Sequence, residues 1–251
     1  MAAHEILVLA ARAGIGPGTS VLDLCCGVAG PGRLITRALG CSYLGLDSSR
    51  AAVRIARERA GDVGCRFEVA VVPPVPVDSV DVVLLLETML AFRDKEPLLR
   101  AVSAGLKPGG RFAFTVEEGA PLTGVERSCM PASETVWPVP LPELLDCLER
   151  VGLRVCWQEE HSQAHRAAAD ALVDAFVADA PYIAAHLGRR ALDDLVTSHR
   201  LWGEWLRAGR IRKLAFVTEK AWCRPTPARA AHLGERGNHV DQRGTWRGGA
   251  W

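Results

Sequence analysis

Short apolar runs alternate along the chain with segments in which apolar residues recur at helical spacing. The runs that predict strands are 21–24, 42–46, 66–71, 82–86, 111–116, 153–157 and 211–218. The helical spacing falls at 6–13, 32–39, 51–60, 97–106 and 141–151. Run 82–86 is apolar throughout, which is typical of a parallel strand with both faces covered. The alternation predicts an α/β protein with a mostly parallel sheet.

One stretch of small residues connects the first predicted strand to the next helix. It reads Ser-Val-Leu-Asp-Leu-Cys-Cys-Gly-Val-Ala-Gly-Pro-Gly over residues 20–32. A strand, a tight turn and a helix begin a nucleotide-binding α/β unit. Small residues let the backbone N–H groups of such a turn approach a ligand closely.

The spacing of Asp23, Gly27, Ala29 and Gly30 resembles the first motif of class I S-adenosylmethionine-dependent methyltransferases, usually Asp/Glu-x-Gly-x-Gly-x-Gly. Cys25 and Ala29 stand where that family usually has glycine, and both are small. The resemblance covers about residues 18–116, with looser agreement to 220. It implies a Rossmann-like, mostly parallel seven-stranded sheet of order 3-2-1-4-5-7-6, with the last strand antiparallel, helices on both faces and a helical cap insertion.

The same resemblance implies S-adenosyl-L-methionine as cofactor and assigns residues to it. Asp23, Cys25, Gly27 and Gly30 would shape the turn and the methionine side. Asp47, followed by Ser48 at the tip of strand two, would accept hydrogen bonds from the ribose hydroxyls. An alternative interpretation makes Asp47 a helix N-cap only.

The adenine side departs from the family pattern. Many members carry an acid after strand three, whereas this chain reads Phe67-Glu-Val-Ala-Val-Val-Pro-Pro. Backbone groups and apolar contacts near Val71 and Val72 would then hold the adenine, with Glu87 bordering the same crevice.

A diffuse acceptor site is expected, because the cofactor itself carries the reactive methyl. Glu87 and His165 are the candidate catalytic residues, as proton acceptors near the crevice. A solvated strand-end acid and a surface histidine at a helix start are the alternative interpretations. Arg207, Arg210, Arg212 and Lys213 form a basic cluster that we interpret as solvated surface; contact with an acidic group of the substrate is the alternative. The candidate substrate pocket consists of Met89, Glu117, Met130, Trp137, His199 and Trp202.

Residues 1–220 are predicted to form a single methyltransferase domain. Segments 117–140 and 161–209 lie outside the predicted sheet and are assigned to a cap that folds over the cofactor crevice; a dimer contact is the alternative. Segment 163–208 is mostly helical, in two parts. Residues 221–251 are rich in Arg and Gly and are predicted to be a disordered tail.

Composition and charge limit the kinds of partner and the location that we expect for this protein. The formal charge is +1, so no overall field favours nucleic acid or an anionic membrane. Eight cysteines include no Cys-x-x-Cys pair, which gives a zinc site little support and suggests reduced thiols. No apolar run approaches a membrane span, and no secretory signal is evident. We expect a cytoplasmic monomer or homodimer that uses no metal.

Direct methyl transfer to an O, N or C nucleophile of a small molecule is therefore the leading hypothesis. A catalytically silent protein that binds the cofactor and pairs with an active subunit is a second hypothesis. A nicotinamide-dependent oxidoreductase is a third, disfavoured because residues 25–30 lack a full Gly-x-Gly-x-x-Gly.

Overall fold

The computed structural model describes residues 1–61, 64–76 and 79–221. The predicted disordered tail lies outside these residues from position 222 onward. The strands are β1 (Ser20–Leu24), β2 (Ser42–Asp47), β3 (Cys65–Val69), β4 (Val80–Leu85), β5 (Leu106–Glu118), β6 (Leu153–Glu160) and β7 (Arg212–Lys220). The helices are α1 (Ala3–Arg12), α2 (Gly30–Leu39), α3 (Arg50–Ala60), α4 (Glu96–Gly105), α5 (Gly124–Cys129), α6 (Leu141–Arg150), α7 (Ser162–Ala178), α8 (Ala180–Leu187) and α9 (Arg189–Arg207).

The strands form one sheet of order β3-β2-β1-β4-β5-β7-β6. The pairs among β1 to β5 are parallel, and β7 runs antiparallel to both β5 and β6. The predicted order and the antiparallel seventh strand are both confirmed. The carboxyl ends of β1, β2, β4 and β5 therefore meet at one edge of the sheet, which also receives the start of β7.

Each face of the sheet is covered by its own helices. Val21 and Ala113 pack in a core with α1, α2 and α3, whereas Leu22 and Phe112 pack with α4 and α6. Because side chains alternate along a strand, Thr115 and Glu117 of β5 point to the α1 side, like Ala113. Near its carboxyl edge, this face therefore changes from apolar to polar.

Two local predictions differ from the structure. The sequence predicts the fifth strand over residues 111–116, but β5 begins earlier, at Leu106. The pairing of β5 with β4 is irregular in this added part, because the register shifts between Val80 and Val82. Segment 163–208 contains three helices rather than two, because α8 separates α7 from α9.

The helical insertion α7–α9 starts at the carboxyl edge of the sheet. The backbone N–H of His161 donates to the Lys213 carbonyl at 2.8 Å, and that of Lys213 donates to Ser162 Oγ at 3.0 Å. The end of α9 packs beside segment 117–140 in an apolar cluster that includes Trp205 and Met130. The insertion thus contacts the predicted crevice edge, and its role as a substrate cap stays a prediction.

The described residues contain seven cysteines, all with free thiols, and Cys223 lies outside them. Within the same ranges, no helix combines the length and the apolar composition that a membrane crossing requires.

Candidate functional site

The turn after β1 is built from left-handed backbone positions. Cys25, Gly27 and Ala29 have φ angles of 58°, 54° and 59°. The left-handed region costs a non-glycine residue roughly 1–2 kcal/mol, so Cys25 and Ala29 are held there by their surroundings. The Cys26 N–H donates to the Leu46 carbonyl at 2.9 Å, which fixes the turn to the end of β2.

The space above this turn is open. A Cβ atom placed on Gly27 or on Gly30 would meet no atom within 4 Å. α2 begins at Gly30, so the turn presents backbone N–H groups and the start of a helix to the same opening. The turn therefore leaves room for a ligand to approach the backbone.

Asp47 joins this turn to the tip of β2. Its Oδ2 accepts from the Gly27 N–H at 2.8 Å, and its Oδ1 accepts from the Ser49 N–H at 2.8 Å. An ionised carboxylate oxygen has two acceptor sites, so each oxygen retains one for a ligand hydroxyl. The N-cap of α3 is Ser49, whose Oγ accepts from the Ala52 N–H at 3.2 Å. Asp47 is thus not the capping residue itself, and Ser48 beside it is exposed.

The predicted adenine side of this crevice lies at the end of β3. The Ala70 N–H donates to the Asp47 carbonyl at 3.0 Å, which places the end of β3 beside Asp47. Val71 is 71% exposed, and Val72 packs partly against the α4 side of the core. Their contact with adenine stays a prediction.

Asp23 lies beneath the turn rather than in the opening. It is 3% exposed and accepts a hydrogen bond from the Tyr43 hydroxyl at 2.5 Å. Burial raises the pKa of Asp23 to about 7, the Tyr43 hydrogen bond opposes the rise, and the charge of Asp47 adds to it. A Cβ on Gly32 would lie 2.1 Å from the Tyr43 ring, so Gly32 lets Tyr43 reach Asp23 under α2.

The raised pKa of Asp23 predicts a pH-dependent stability. Unfolding returns the carboxyl to an ordinary pKa near 3.8, so the folded state binds a proton that the unfolded chain releases. The stabilisation that comes from protonated Asp23 is complete below pH 4 and is lost as pH rises through about 7. We expect the stability of wild type relative to Asp23→Asn to fall by about 4 kcal/mol between pH 4 and pH 8. Urea denaturation of both proteins at each pH measures this difference in the free energy of unfolding. A difference that is the same at pH 4 and pH 8 would contradict the prediction.

A second group of polar residues lies where β4, β5 and β7 meet. Lys213 Nζ is 2.5 Å from Glu117 Oε1 and 3.0 Å from Glu87 Oε2. The Glu87 N–H donates to Thr115 Oγ1 at 2.8 Å, and Glu87 has a left-handed φ of 61°. His165 Nδ1 of α7 lies 3.8 Å from Glu87 Oε2. The cluster joins the two candidate catalytic residues, Glu87 and His165, to one buried lysine.

The lysine sets the charge state of the cluster. Burial alone would raise the pKa of Glu87, but the charges of Lys213 and His165 hold it below its usual value. Burial and the Lys213 charge lower the pKa of His165, against the opposing effect of Glu87 and Glu117. Burial would lower the pKa of Lys213, and the two carboxylates outweigh it and raise that pKa. Near pH 7 the cluster therefore holds a charged lysine, an ionised Glu87 and a neutral His165.

A cavity of about 200 Å³ opens on this cluster. Thr115, Glu87, Lys213 and His165 supply its polar wall. The rest is formed by residues of α1, of α7 and of the start of the chain, namely Met1, Ala2, Glu5, His161, Ala164 and Ala168. A cavity of this size suits a small molecule or one end of a larger one.

The expected solvated basic cluster is wrong for Lys213. Its side chain is 1% exposed and lies inside the site. Arg210 also pairs inward, with its Nε 2.6 Å from Glu126 Oε1. The neighbouring Arg212 is 41% exposed and pairs with Glu118 at 2.8 Å. The burial of Lys213 was not predicted, because nothing in the local sequence distinguishes this lysine from the basic residues that precede it.

Five residues of the predicted substrate pocket lie away from this cavity. Met89 and Met130 are buried in separate apolar clusters, the first on the α4 side of the sheet. Trp202 packs edge to face on Trp205, with ring centroids 5.4 Å apart. Neither methionine nor Trp202 is among the residues that line the 200 Å³ cavity.

The other two aromatic candidates are engaged locally. Arg127 lies 4.0 Å and Arg93 4.9 Å from the centre of the Trp137 ring, so the chain supplies its own cations there. His199 Nδ1 is 2.8 Å from the Leu195 carbonyl, and its ring packs on Phe176. A contact of either residue with substrate stays a prediction.

Glu87, Glu117 and His165 also have the donor types of a metal site. One ligand atom from each lies within 4.8 Å of the others. The Lys213 ammonium already contacts both carboxylates. A divalent cation bound here would have to displace this buried lysine.

The sheet order, the antiparallel seventh strand and the open turn after β1 define a Rossmann-like fold with a ligand crevice at its carboxyl edge. Residues 21–110 match the protein family described as "Methyltransferase domain". This match and the relatives described below support a class I S-adenosylmethionine-dependent methyltransferase. The nicotinamide-dependent alternative has no support from these findings.

Similar proteins differ in the activities that their names give. The chain is 31% identical over 109 residues to "Methyltransferase GfsG" of Streptomyces halstedii, covering 41% of this chain and 39% of that protein. It is 35% identical over 99 residues to "Phosphoethanolamine N-methyltransferase 1" of Arabidopsis thaliana, covering 38% and 20%. The chain thus aligns with less than half the length of these curated relatives.

Among solved structures, a putative sarcosine dimethylglycine methyltransferase from Galdieria sulphuraria superposes with a TM-score of 0.78. The sequence identity is 16%, with 87% of this chain and 84% of that chain covered. This likeness concerns the fold alone.

Proposed function

We propose that this chain binds S-adenosylmethionine and transfers its methyl group to an oxygen, nitrogen or carbon nucleophile of a small molecule. The observation that carries the proposal is Asp47. Its carboxylate is held by the Gly27 and Ser49 N–H groups at the border of an open, small-residue turn. That arrangement suits a nucleoside, with ribose hydroxyls on Asp47 and the remainder over the turn.

The residues present fit this cofactor. Gly27 and Gly30 leave room for it, and the N–H groups at the start of α2 favour its carboxylate end. When bound, the cofactor supplies an electrophilic methyl on a sulfonium centre. The chain then has to orient the acceptor and exclude water, and good alignment contributes on the order of 7–11 kcal/mol.

The acceptor is proposed to enter the cavity beside Glu87. An acceptor that arrives protonated requires a base, and neutral His165 or ionised Glu87 can take that proton. Both line the cavity, and Lys213 lines it beside them. The cavity volume supports a small molecule, and the formal charge of +1 gives no support to a nucleic-acid substrate. A cytoplasmic monomer or homodimer remains the proposed setting.

Calorimetric titration with S-adenosylhomocysteine tests the cofactor assignment. We expect binding in the micromolar range or tighter, and no heat with NAD or NADP under the same conditions. Absence of S-adenosylhomocysteine binding at high micromolar concentration would overturn the proposal. Turnover on a panel of hydroxyl, amine and activated-carbon acceptors then separates an enzyme from a silent binding partner.

A further inference from the structure

We propose that Lys213 is a positioning residue, a built-in cation that holds Glu87 and His165 in the unprotonated state needed to accept a proton from the acceptor. This inference rests on the proposed function. It adds a residue that neither the family motif nor the sequence pattern singles out, and it gives a role to the buried charges beside the cavity.

The position of Lys213 follows from the strand pairing. In the antiparallel register of β5 and β7, Glu117 lies directly opposite Lys213. Their side chains are 5% and 1% exposed, and Glu117 Oε1 contacts Lys213 Nζ at 2.5 Å. Two charges buried to this degree are stable only as a pair.

Lys213 is also the group that contacts the Glu117 carboxylate. Its other oxygen, Oε2, is buried and has no hydrogen-bond partner among the described residues. The Lys213 ammonium is therefore the group that compensates the Glu117 carboxylate, while it also reaches Glu87 Oε2 at 3.0 Å. One fixed cation thus serves two carboxylates that come from the ends of adjacent strands.

His165 is the group that responds to this cation. Its side chain is 22% exposed and borders the same cavity, with Nδ1 3.8 Å from Glu87 Oε2. A second positive charge beside Lys213 is unfavourable, so the lysine disfavours protonation of the imidazole. The charged and titratable groups that face His165 or the cavity come from several elements. They are Glu87 after β4, Glu117 of β5, Lys213 of β7, the Met1 amino nitrogen, Glu5 in the first turn of α1, and His161 before α7.

The resulting proton step is simple. The acceptor X–H bond breaks, its electron pair stays on X, and the proton goes to His165 or Glu87. Lys213 keeps its own proton throughout, because two carboxylates stabilise its charge. It therefore acts through its neighbours rather than on the acceptor.

The adjacent residue on β7 supplies a matched control. Arg212 faces Glu118 across the same strand pair, one residue along, on the opposite face of the sheet. Arg212→Met thus removes a cation from the same strand without touching the cavity.

Histidine titration by NMR tests the inference without a known acceptor. The His165 ring signal, identified by its loss in His165→Gln, should titrate in wild type below its usual value near 6.5. Lys213→Met should move that midpoint upward by about 1 unit or more, whereas Arg212→Met should leave it unchanged. Lys213→Met/Glu117→Gln removes both partners of the buried ion pair, so it should fold even if the single variant does not. Its His165 midpoint should also shift upward, but by less than in Lys213→Met.

An unchanged His165 midpoint in the folded Lys213 variants would overturn the inference. S-adenosylhomocysteine titration of the same wild-type sample keeps the two proposals separate. Absence of S-adenosylhomocysteine binding refutes the cofactor assignment, whatever the His165 midpoint is. If wild type binds and the His165 midpoint does not change in the Lys213 variants, only the role of Lys213 is refuted.

Discussion

Replacing Asp47 by alanine is expected to weaken S-adenosylhomocysteine binding by roughly 1.5–3 kcal/mol, about 10- to 150-fold. The ribose would lose its charged acceptor, and the Gly27 N–H would lose the oxygen that holds it at 2.8 Å. Both effects act on the same ligand, one directly and one through the turn. Asp47→Asn keeps one acceptor oxygen and should lose less.

Asp94 is the control for local backbone effects. Its Oδ1 accepts from the N–H two residues ahead, that of Glu96, at 3.0 Å, as Asp47 Oδ1 does from Ser49. Asp94 is exposed and precedes α4, outside the proposed cofactor crevice. Asp94→Ala should therefore leave S-adenosylhomocysteine affinity within twofold of wild type. Equal losses in the Asp47 and Asp94 variants, measured by calorimetry, would show that Asp47 has no special part in binding.

The sheet could be predicted because its signals are local. Each buried parallel strand is a short apolar run, and the family resemblance adds the strand order that spacing alone does not give. The turn after β1 could be predicted for the same reason, because the small residues at 25–30 both allow the tight backbone turn and form the motif. Asp47 could be singled out as a candidate ribose-binding residue because it lies at the tip of the second predicted strand.

The lysine at the centre of the acceptor cluster was not predicted, because its partner lies 96 positions away along the chain. Only the antiparallel register of β5 and β7 brings Lys213 opposite Glu117. One signal was available: Lys213, Ala215 and Val217 alternate along the predicted seventh strand and so share a face. A lysine in register with two buried apolar residues is a candidate for burial.

Segments 117–140 and 161–209 were the hardest part to predict, for a different physical reason. Their aromatic residues pack on partners that sequence spacing does not identify, as Trp137 does on Arg93 and Arg127. Neither arginine is distinguished in sequence from any other solvated cation. An apolar stripe on a helix predicts that something covers it, but the covering group depends on tertiary packing.

Lys213→Met is expected to lower the free energy of unfolding by about 3–5 kcal/mol, the range for breaking a buried ion pair by removing one partner. The methionine fills the space but leaves Glu117 and Glu87 close together without their shared cation. Arg212→Met should cost no more than about 1 kcal/mol, since its side chain is 41% exposed and water replaces the lost pairing.

The double variant Lys213→Met/Glu117→Gln identifies the source of that loss. If uncompensated charge is the cause, neutralising Glu117 as well should recover most of the stability, because no buried ion is then left without a partner. If altered packing is the cause, the double variant should be as unstable as the single one. Urea denaturation at pH 7 of the four proteins distinguishes these results. A Lys213→Met loss no larger than that of Arg212→Met would mean that the buried contacts of Lys213 do not stabilise the fold.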